Sequence, residues 1–298
     1  QQRRRTPLRR PAPPEPAGEI TPALAHLRTR IGREQTASEQ LSTALVRQFN
    51  ATFDRPASSD DGGIAPLLIH FCLAQPVAPT AELGPEGHPA RGGFLPPVPL
   101  PRRMWAGGAF DFHGDIRIGE EITRRSVIRD VQLKQGRTGP LCFVTVEHEV
   151  ASGGRPALTE RQEIVYRDTS APGNAAVSRG TPARSGVHSR QIVPSAPLLF
   201  RYSAMTFNGH RIHYDAPYVR EVEGYPGLIV HGPMQATLLC QLAADLKGEP
   251  PRRFRFRSLS PLFDDADFSI NAEESGDGFK LWTAKDGGPV AMEATAQW

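Results

Sequence analysis

Residues 206–215, TFNGHRIHYD, place an amide, a glycine, two imidazoles and a carboxylate within ten positions, and a third imidazole, His231, follows in YPGLIVHGPM at 225–234. An imidazole with a pKa near neutrality can take a proton from water and give it back. His213 is therefore the candidate general base. His210 shares a face with it if the turn is helical. Asn208 can orient a water molecule but cannot act as an acid or a carboxylate, because an amide does not titrate. Asp215 is placed to cap a helix over APYVREVE that Gly224 would end. The spacings of three residues from 210 to 213 and eighteen from there to His231 match no zinc signature, so no metal is expected.

Such residues need elements to hold them. GPMQATLLCQLAADL at 232–246 sets Met234, Leu238, Leu242 and Leu246 four apart, with Leu239 and Ala243 alongside, a stripe broad enough for an enclosed helix. Gly232 and Pro233 mark its start, since Pro in the first turn has no N–H to leave unsatisfied. Upstream, the spacing of Leu24, Leu27 and Ile31, and of Leu41, Leu45 and Phe49, predicts two amphipathic helices over 21–53. Residues 76–101 carry too many prolines and glycines for regular structure. AFDFHGDIRI, SVIRDVQLK, LCFVTVEHEV and ERQEIVYRD then read as strands of an antiparallel meander.

Shifting the chain by 144 residues lays FDFHGDIRIGEE (110–121) on FRFRSLSPLFDD (254–265), so that Phe110 meets Phe254, Phe112 meets Phe256 and Ile118 meets Leu262. Duplication with divergence predicts two copies of one unit, each a long helix followed by an antiparallel sheet. Residues 171–190 hold almost no large apolar side chains and cannot offset the entropy of ordering, which places a linker between the copies. The expected units are an Arg/Pro-rich arm at 1–19, a first domain at 20–170, a linker at 171–192 and a second domain at 193–298.

Composition bounds the function classes. The chain has 298 residues, 39% hydrophobic and 22% charged, values of an ordinary soluble protein. Its longest apolar run, APLLIHFCLA at 65–74, is too short to span a bilayer. Five arginines lie in the first ten residues, and removing them turns the net charge of +3 into −2 for residues 11–298. That argues against a nucleic-acid surface. Three widely spaced cysteines fit a reducing compartment, and a cytoplasmic location is expected.

The second half resembles the MaoC-like, R-specific enoyl-CoA hydratases of the hotdog fold. In that family an Asp and a His stand five residues apart, with a small residue and a Gly before the Asp and an aliphatic residue before the His. Thr206, Phe207, Asn208, Ile212 and His213 occupy those places, and LIVHGPM at 228–234 matches the family's aliphatic-His-Gly entry to its central helix. FLPPVPLPRRMWAGG at 94–108 and RTGPLCFVTVEHEV at 137–150 are similar to the degenerate first hotdog of double-hotdog hydratases. The likeness runs from about residue 20 to the C-terminus, and its nearest branch is that of mesaconyl-CoA and itaconyl-CoA hydratases.

The resemblance implies an α+β double hotdog that adds water to a short branched enoyl-CoA, giving citramalyl-CoA. The alternatives are a 3-hydroxyacyl-thioester dehydratase for linear chains and a non-catalytic acyl-CoA-binding protein. No cofactor is implied; the partner is the acyl-CoA itself, with a homodimer or higher homo-oligomer possible. His213 would be the base, and the thioester oxygen would meet the N–H of Gly232, where the helix dipole favours negative charge. Asn208 in place of Asp is the departure, and it leaves the proton donor open between His213 itself, His210 and Asp215. His210, His231, Arg211, Arg102 and Arg103 are candidate substrate-binding residues, with Arg201 a further cation for a free carboxylate. Arg252, Arg253, Arg255 and Arg257 are candidates for CoA phosphate. Trp105, beside Gly107 and Gly108, would line the acyl tunnel.

Overall fold

The computed structural model describes residues 22–56, 60–136, 139–168 and 180–298. The proposed arm at 1–19 lies outside them. Ten strands form one antiparallel sheet, and its order is symmetric about the middle. The first copy supplies β1 (Glu34–Gln40), β2 (Arg102–Phe112), β3 (Glu121–Gly136), β4 (Gly139–Ser152) and β5 (Arg155–Arg167), and the second supplies β6 (His188–Ile192), β7 (Arg253–Ser258), β8 (Phe268–Ser275), β9 (Gly278–Lys285) and β10 (Val290–Gln297). The order β1-β3-β4-β5-β2 runs into its mirror β7-β10-β9-β8-β6. The meander read from alternation is therefore present, and β2 begins earlier, at Arg102.

The seam between the copies is the β2–β7 pair, in which Phe110 lies opposite Phe254. These two residues are equivalent under the 144-residue shift, so an approximate two-fold axis passes between them. Their rings stack at 6.2 Å, and both are fully buried. Gly108 is required beside them: a Cβ there would sit 2.7 Å from the Arg161 carbonyl and 2.8 Å from the Phe256 ring. Ile118 and Leu262 also enter the one large core that spans both copies.

In the second copy, α5 (Gly232–Lys247) fills the curve of the sheet, and every residue from Met234 to Ala243 is buried. Two of its polar members are satisfied in the core, since Thr283 Oγ1 donates to Gln235 Oε1 at 2.7 Å and Thr237 Oγ1 donates to the Pro233 carbonyl at 2.8 Å, while Gln241 Oε1 is buried without a partner. Gly248 ends it in the left-handed region at φ +85°, its N–H closing on the Ala244 carbonyl. The helix expected in the first copy is absent. Between Ile64 and β2 the described residues form only short 3-10 turns, Ile69–Cys72 and Thr80–Glu82. Prolines and glycines prevent helix propagation through much of this segment.

Two further expectations change. The 21–53 region holds α1 (Pro22–Arg28) and α2 (Thr43–Thr52), but β1 lies between them. β1 is polar and largely exposed because it is an edge strand whose energy comes from its ladder with β3. The linker also ends sooner than residue 192: His188–Ile192 is the opposite edge strand, equally polar, paired with β8. Residues 169–179 lie outside the described residues.

Candidate active site

The candidate residues stand on three short elements that converge on the start of α5. α3 (Ala196–Met205) is capped by Ser195, whose Oγ accepts from the Leu198 N–H. It ends with Phe207 at φ +49°, while the Asn208 N–H returns to the Ser203 carbonyl at 2.8 Å. A left-handed residue at this place closes the helix, which explains the family's preference for Gly where this chain has Phe. The Asn208 side chain then holds the next turn, its Oδ1 accepting the His210 N–H at 3.1 Å. A 3-10 turn, Arg211–His213, follows, and α4 (Ala216–Glu221) is capped by Asp215, which accepts from the Tyr218 N–H at 3.1 Å.

His213 is buried, and its Nδ1 lies 2.7 Å from the Ile229 carbonyl. A carbonyl only accepts, so Nδ1 carries the proton and Nε2 keeps its lone pair. Burial lowers the His213 pKa to about 4, against the raising effect of that hydrogen bond. The ring stacks on His231 at 3.6 Å between centroids, and His231 is the residue immediately before Gly232. The imidazole and the helix start, eighteen residues apart in sequence, are thus neighbours. Among the described residues the Gly232 N–H meets no protein acceptor, and a Cβ at Gly232 would touch nothing nearer than 3.9 Å. There is therefore open space on the side of Gly232 where a side chain would stand.

His231 is held by Ser203, Oγ to Nε2 2.8 Å, and its Nδ1 is buried without a partner. Burial first, then the neighbouring imidazoles, push its pKa well down. His210 meets His213 edge-on at 5.7 Å and is lowered to about 2 by burial, then by His213 and Arg103. The rings meet by their faces and edges instead of converging their nitrogens on a point, and among the described residues no metal-holding cluster occurs.

A residue that sequence reasoning missed completes the row. His88, in the Gly/Pro-rich loop of the first copy, lies 4.2 Å from His210 between ring centroids and accepts from Arg103 Nη2 through Nδ1 at 2.8 Å. The only sequence signal was a histidine inside GPEGHPARGG. Gly87 and Gly209 make the docking possible, since a Cβ on Gly87 would fall 1.9 Å from the Gly209 carbonyl oxygen. The Arg211 N–H also donates to the Glu86 carbonyl at 2.9 Å.

The other predicted residues have varied surroundings. Arg211 pairs with Asp215 at 2.8 Å, donates to the Pro85 carbonyl and lies over the Tyr218 ring. Arg102 pairs with Glu223 at 3.3 Å and lies over Tyr225. Trp105 packs edge-on between Phe71 and Phe256, with Nε1 buried and unpartnered. Arg201 and Arg252 are exposed. Arg253 pairs with Asp111, while Arg257 pairs with Glu293. Arg255 and Arg257 line a groove of about 530 Å³ whose lining does not include the histidines. Among the described residues no helix is long and apolar enough to cross a membrane.

The family model described as hydroxyacyl-thioester dehydratase type 2 matches residues 68–264. A mesaconyl-C(4)-CoA hydratase of Chloroflexus aurantiacus is 43% identical over 90% of this chain and 96% of its own length. HtdX of Mycobacterium tuberculosis superposes with a TM-score of 0.61 at 17% identity, covering 89% of this chain and 99% of that one. Another protein of that organism, described as having a double hotdog fold, gives a TM-score of 0.54 at 12% identity over 90% of this chain and 96% of its own. The likeness to these two structures is one of fold, and the fold is the double hotdog.

Proposed function

Because the chain belongs to the hydroxyacyl-thioester dehydratase type 2 family, we propose that it reversibly adds water to a short branched enoyl-CoA, mesaconyl-CoA or itaconyl-CoA, giving citramalyl-CoA. The observation that carries this reading is the stack of a neutral, tautomer-fixed His213 on the residue that precedes the free N–H of Gly232. The mesaconyl-C(4)-CoA hydratase, matched over most of both chains, supports the branched substrate.

With mesaconyl-C(4)-CoA, whose double bond is conjugated with the thioester, His213 Nε2 takes a proton from water as the hydroxide adds to the β-carbon. The π electrons move to the α-carbon and the thioester oxygen, where the Gly232 N–H and the start of α5 meet the developing charge. The imidazolium then returns its proton to the α-carbon, and His213 is neutral again. One group serving both transfers gives syn addition. The alternatives for donor are weakened by their surroundings, since Asp215 caps α4 and pairs with Arg211 and His210 is held neutral. A depressed pKa suits the second step, because the imidazolium is then a strong acid toward carbon.

The aromatic wall of Phe71, Trp105 and Phe110 from the first copy and Phe256 from the second lies at the seam and favours a short acyl group over a long linear one. The test is to incubate the protein with mesaconyl-C(4)-CoA, itaconyl-CoA and crotonyl-CoA and follow loss of enoyl-thioester absorbance together with product. Hydration of the diacids is the expected result. Fast crotonyl-CoA hydration without diacid turnover would move the assignment to linear acyl chains, and tight binding without conversion would make the protein a binder.

A further inference from the structure

A dicarboxylic acyl group brings a free carboxylate into a closed site, and a carboxylate leaving water needs a cation. Four arginines, at 91, 102, 103 and 211, stand on the segments that carry or adjoin the row of histidines, and most are committed elsewhere. Arg102 is paired with Glu223, and Arg211 with Asp215. Arg91 is spent on two carbonyls, those of Val98 at 2.5 Å and Pro101 at 2.7 Å. Arg103 differs from them. It is half-buried, among the described residues no carboxylate lies within ion-pair distance of it, and its hydrogen bonds run to two neutral groups, the ring of His88 and the hydroxyl of Tyr166.

Its position is as informative as its lack of a counter-ion. Arg103 sits near the start of β2, opposite Tyr166 on β5, and the Gly87–Gly209 contact fixes the His88 loop against the turn that bears His210 and His213. From Arg103 through His88 and His210 the groups run without a break to His213. Because His88 accepts from Arg103 through Nδ1, its proton lies on Nε2, a second donor in the same place.

We infer that Arg103, presented with His88 by the first copy, receives the free carboxylate of the acyl group and makes the site selective for dicarboxylic acyl-CoA thioesters. The inference rests on the hydratase reading for the placement of the thioester between His213 and Gly232. It assigns the two ends of the acyl group to different copies of the repeat, the anchor to the first and the proton chemistry to the second. A planar guanidinium suits this task, since it can hold both carboxylate oxygens at once.

Succinyl-CoA and butyryl-CoA differ by the terminal carboxylate, and neither has a double bond to hydrate, so they test the anchor apart from the reaction. Calorimetric titration of wild type is expected to show succinyl-CoA binding at least about tenfold more tightly than butyryl-CoA. In Arg103→Met the ratio of the two dissociation constants should collapse to about one. Arg103→Lys, which keeps the charge and loses the fork, should recover part of the preference; it also serves as the informative variant if the methionine protein does not fold. Equal affinities in wild type would overturn the inference. So would an Arg103→Met protein in which both analogues weaken alike with the ratio kept, since the guanidinium would then be serving CoA phosphates or the fold. Failure of diacid hydration with the succinyl preference intact would sink the hydratase reading while leaving the anchor standing.

Discussion

The two copies share a sheet and differ in what the sheet encloses. Following the pairing from the Phe110–Phe254 axis, Glu160 and Leu158 on β5 occupy the places held by Ala296 and Ala294 on β10. In the second copy the small alanines belong to the wall around α5. In the first copy, where no such helix exists, the place of Ala296 carries a buried carboxylate, Glu160. Glu160 lies 3.0 Å from His70, both nearly inaccessible, and His148 joins Ser126 at 2.7 Å and Gln162 at 3.1 Å. Burial pushes the Glu160 carboxyl up, but the His70 hydrogen bond and the charges of His148, His70 and Arg124 outweigh it, and the net shift is downward. The comparison teaches that the strand frame is present twice and the enclosed central helix once, so the first copy fills its interior by other means.

The largest effect that would break this division is at His213. His213→Gln should lower kcat roughly a thousandfold with little change in melting temperature, because a general base contributes on that scale. If kcat stays within tenfold of wild type, the second copy does not hold the base. In wild type, the His213 pKa near 4 keeps the base form through neutral pH, so kcat/KM should be level from about pH 8 to 5 and fall with a midpoint near 4. Stability follows the same group with a defined sign. The unfolded chain takes up a proton near pH 6.5 that the folded chain refuses, so this contribution is lost as pH falls from 6.5 toward 4.

Glu160→Ala tests the other copy. It leaves His70 and Arg124 buried without their carboxylate and should cost about 3 kcal/mol by denaturant unfolding. The Glu160 contribution is present above the ordinary carboxylate pKa and disappears as pH falls below it, so the difference between variant and wild type should narrow in acid. No loss of stability would mean that the polar network is not what holds the first copy together.

Gly87→Ala acts where the copies meet. The methyl collides with the Gly209 carbonyl, and the left-handed φ of +93° adds strain, so kcat/KM should fall about thirtyfold while His213 itself is untouched. An unchanged kcat/KM would detach the first copy's loop from the chemistry. The smallest effect belongs to Phe207→Gly. It relieves a left-handed residue on α3's exit and should raise stability by about 1 kcal/mol in thermal unfolding, whereas a loss would show that the exposed ring has a role of its own.

Much of this architecture was legible in the sequence because local pattern and global fold agree. The F-x-F match found the symmetry axis, since those residues must be buried twice over at the seam. The stripe from Met234 to Leu246 and the Gly232–Pro233 start found α5, and the resemblance at Thr206–His213 found the turn. What escaped reading has physical reasons. β1 and β6 are edge strands whose exposed polar side chains leave no alternation to see. The loss of the first helix was hidden because a run of Pro and Gly announces irregular backbone without saying what it replaces. His88 was invisible because its importance comes from a contact with His210 across more than a hundred residues.

The continuous β2–β7 ladder has one more outcome. Because the His88 loop and the turn that bears His213 belong to a single covalent chain, each meets the other at a local concentration that dilution cannot lower. Specific activity should therefore hold constant as the protein is diluted from micromolar to nanomolar. A split version with the chain cut between residues 169 and 179 should lose that constancy once its halves part.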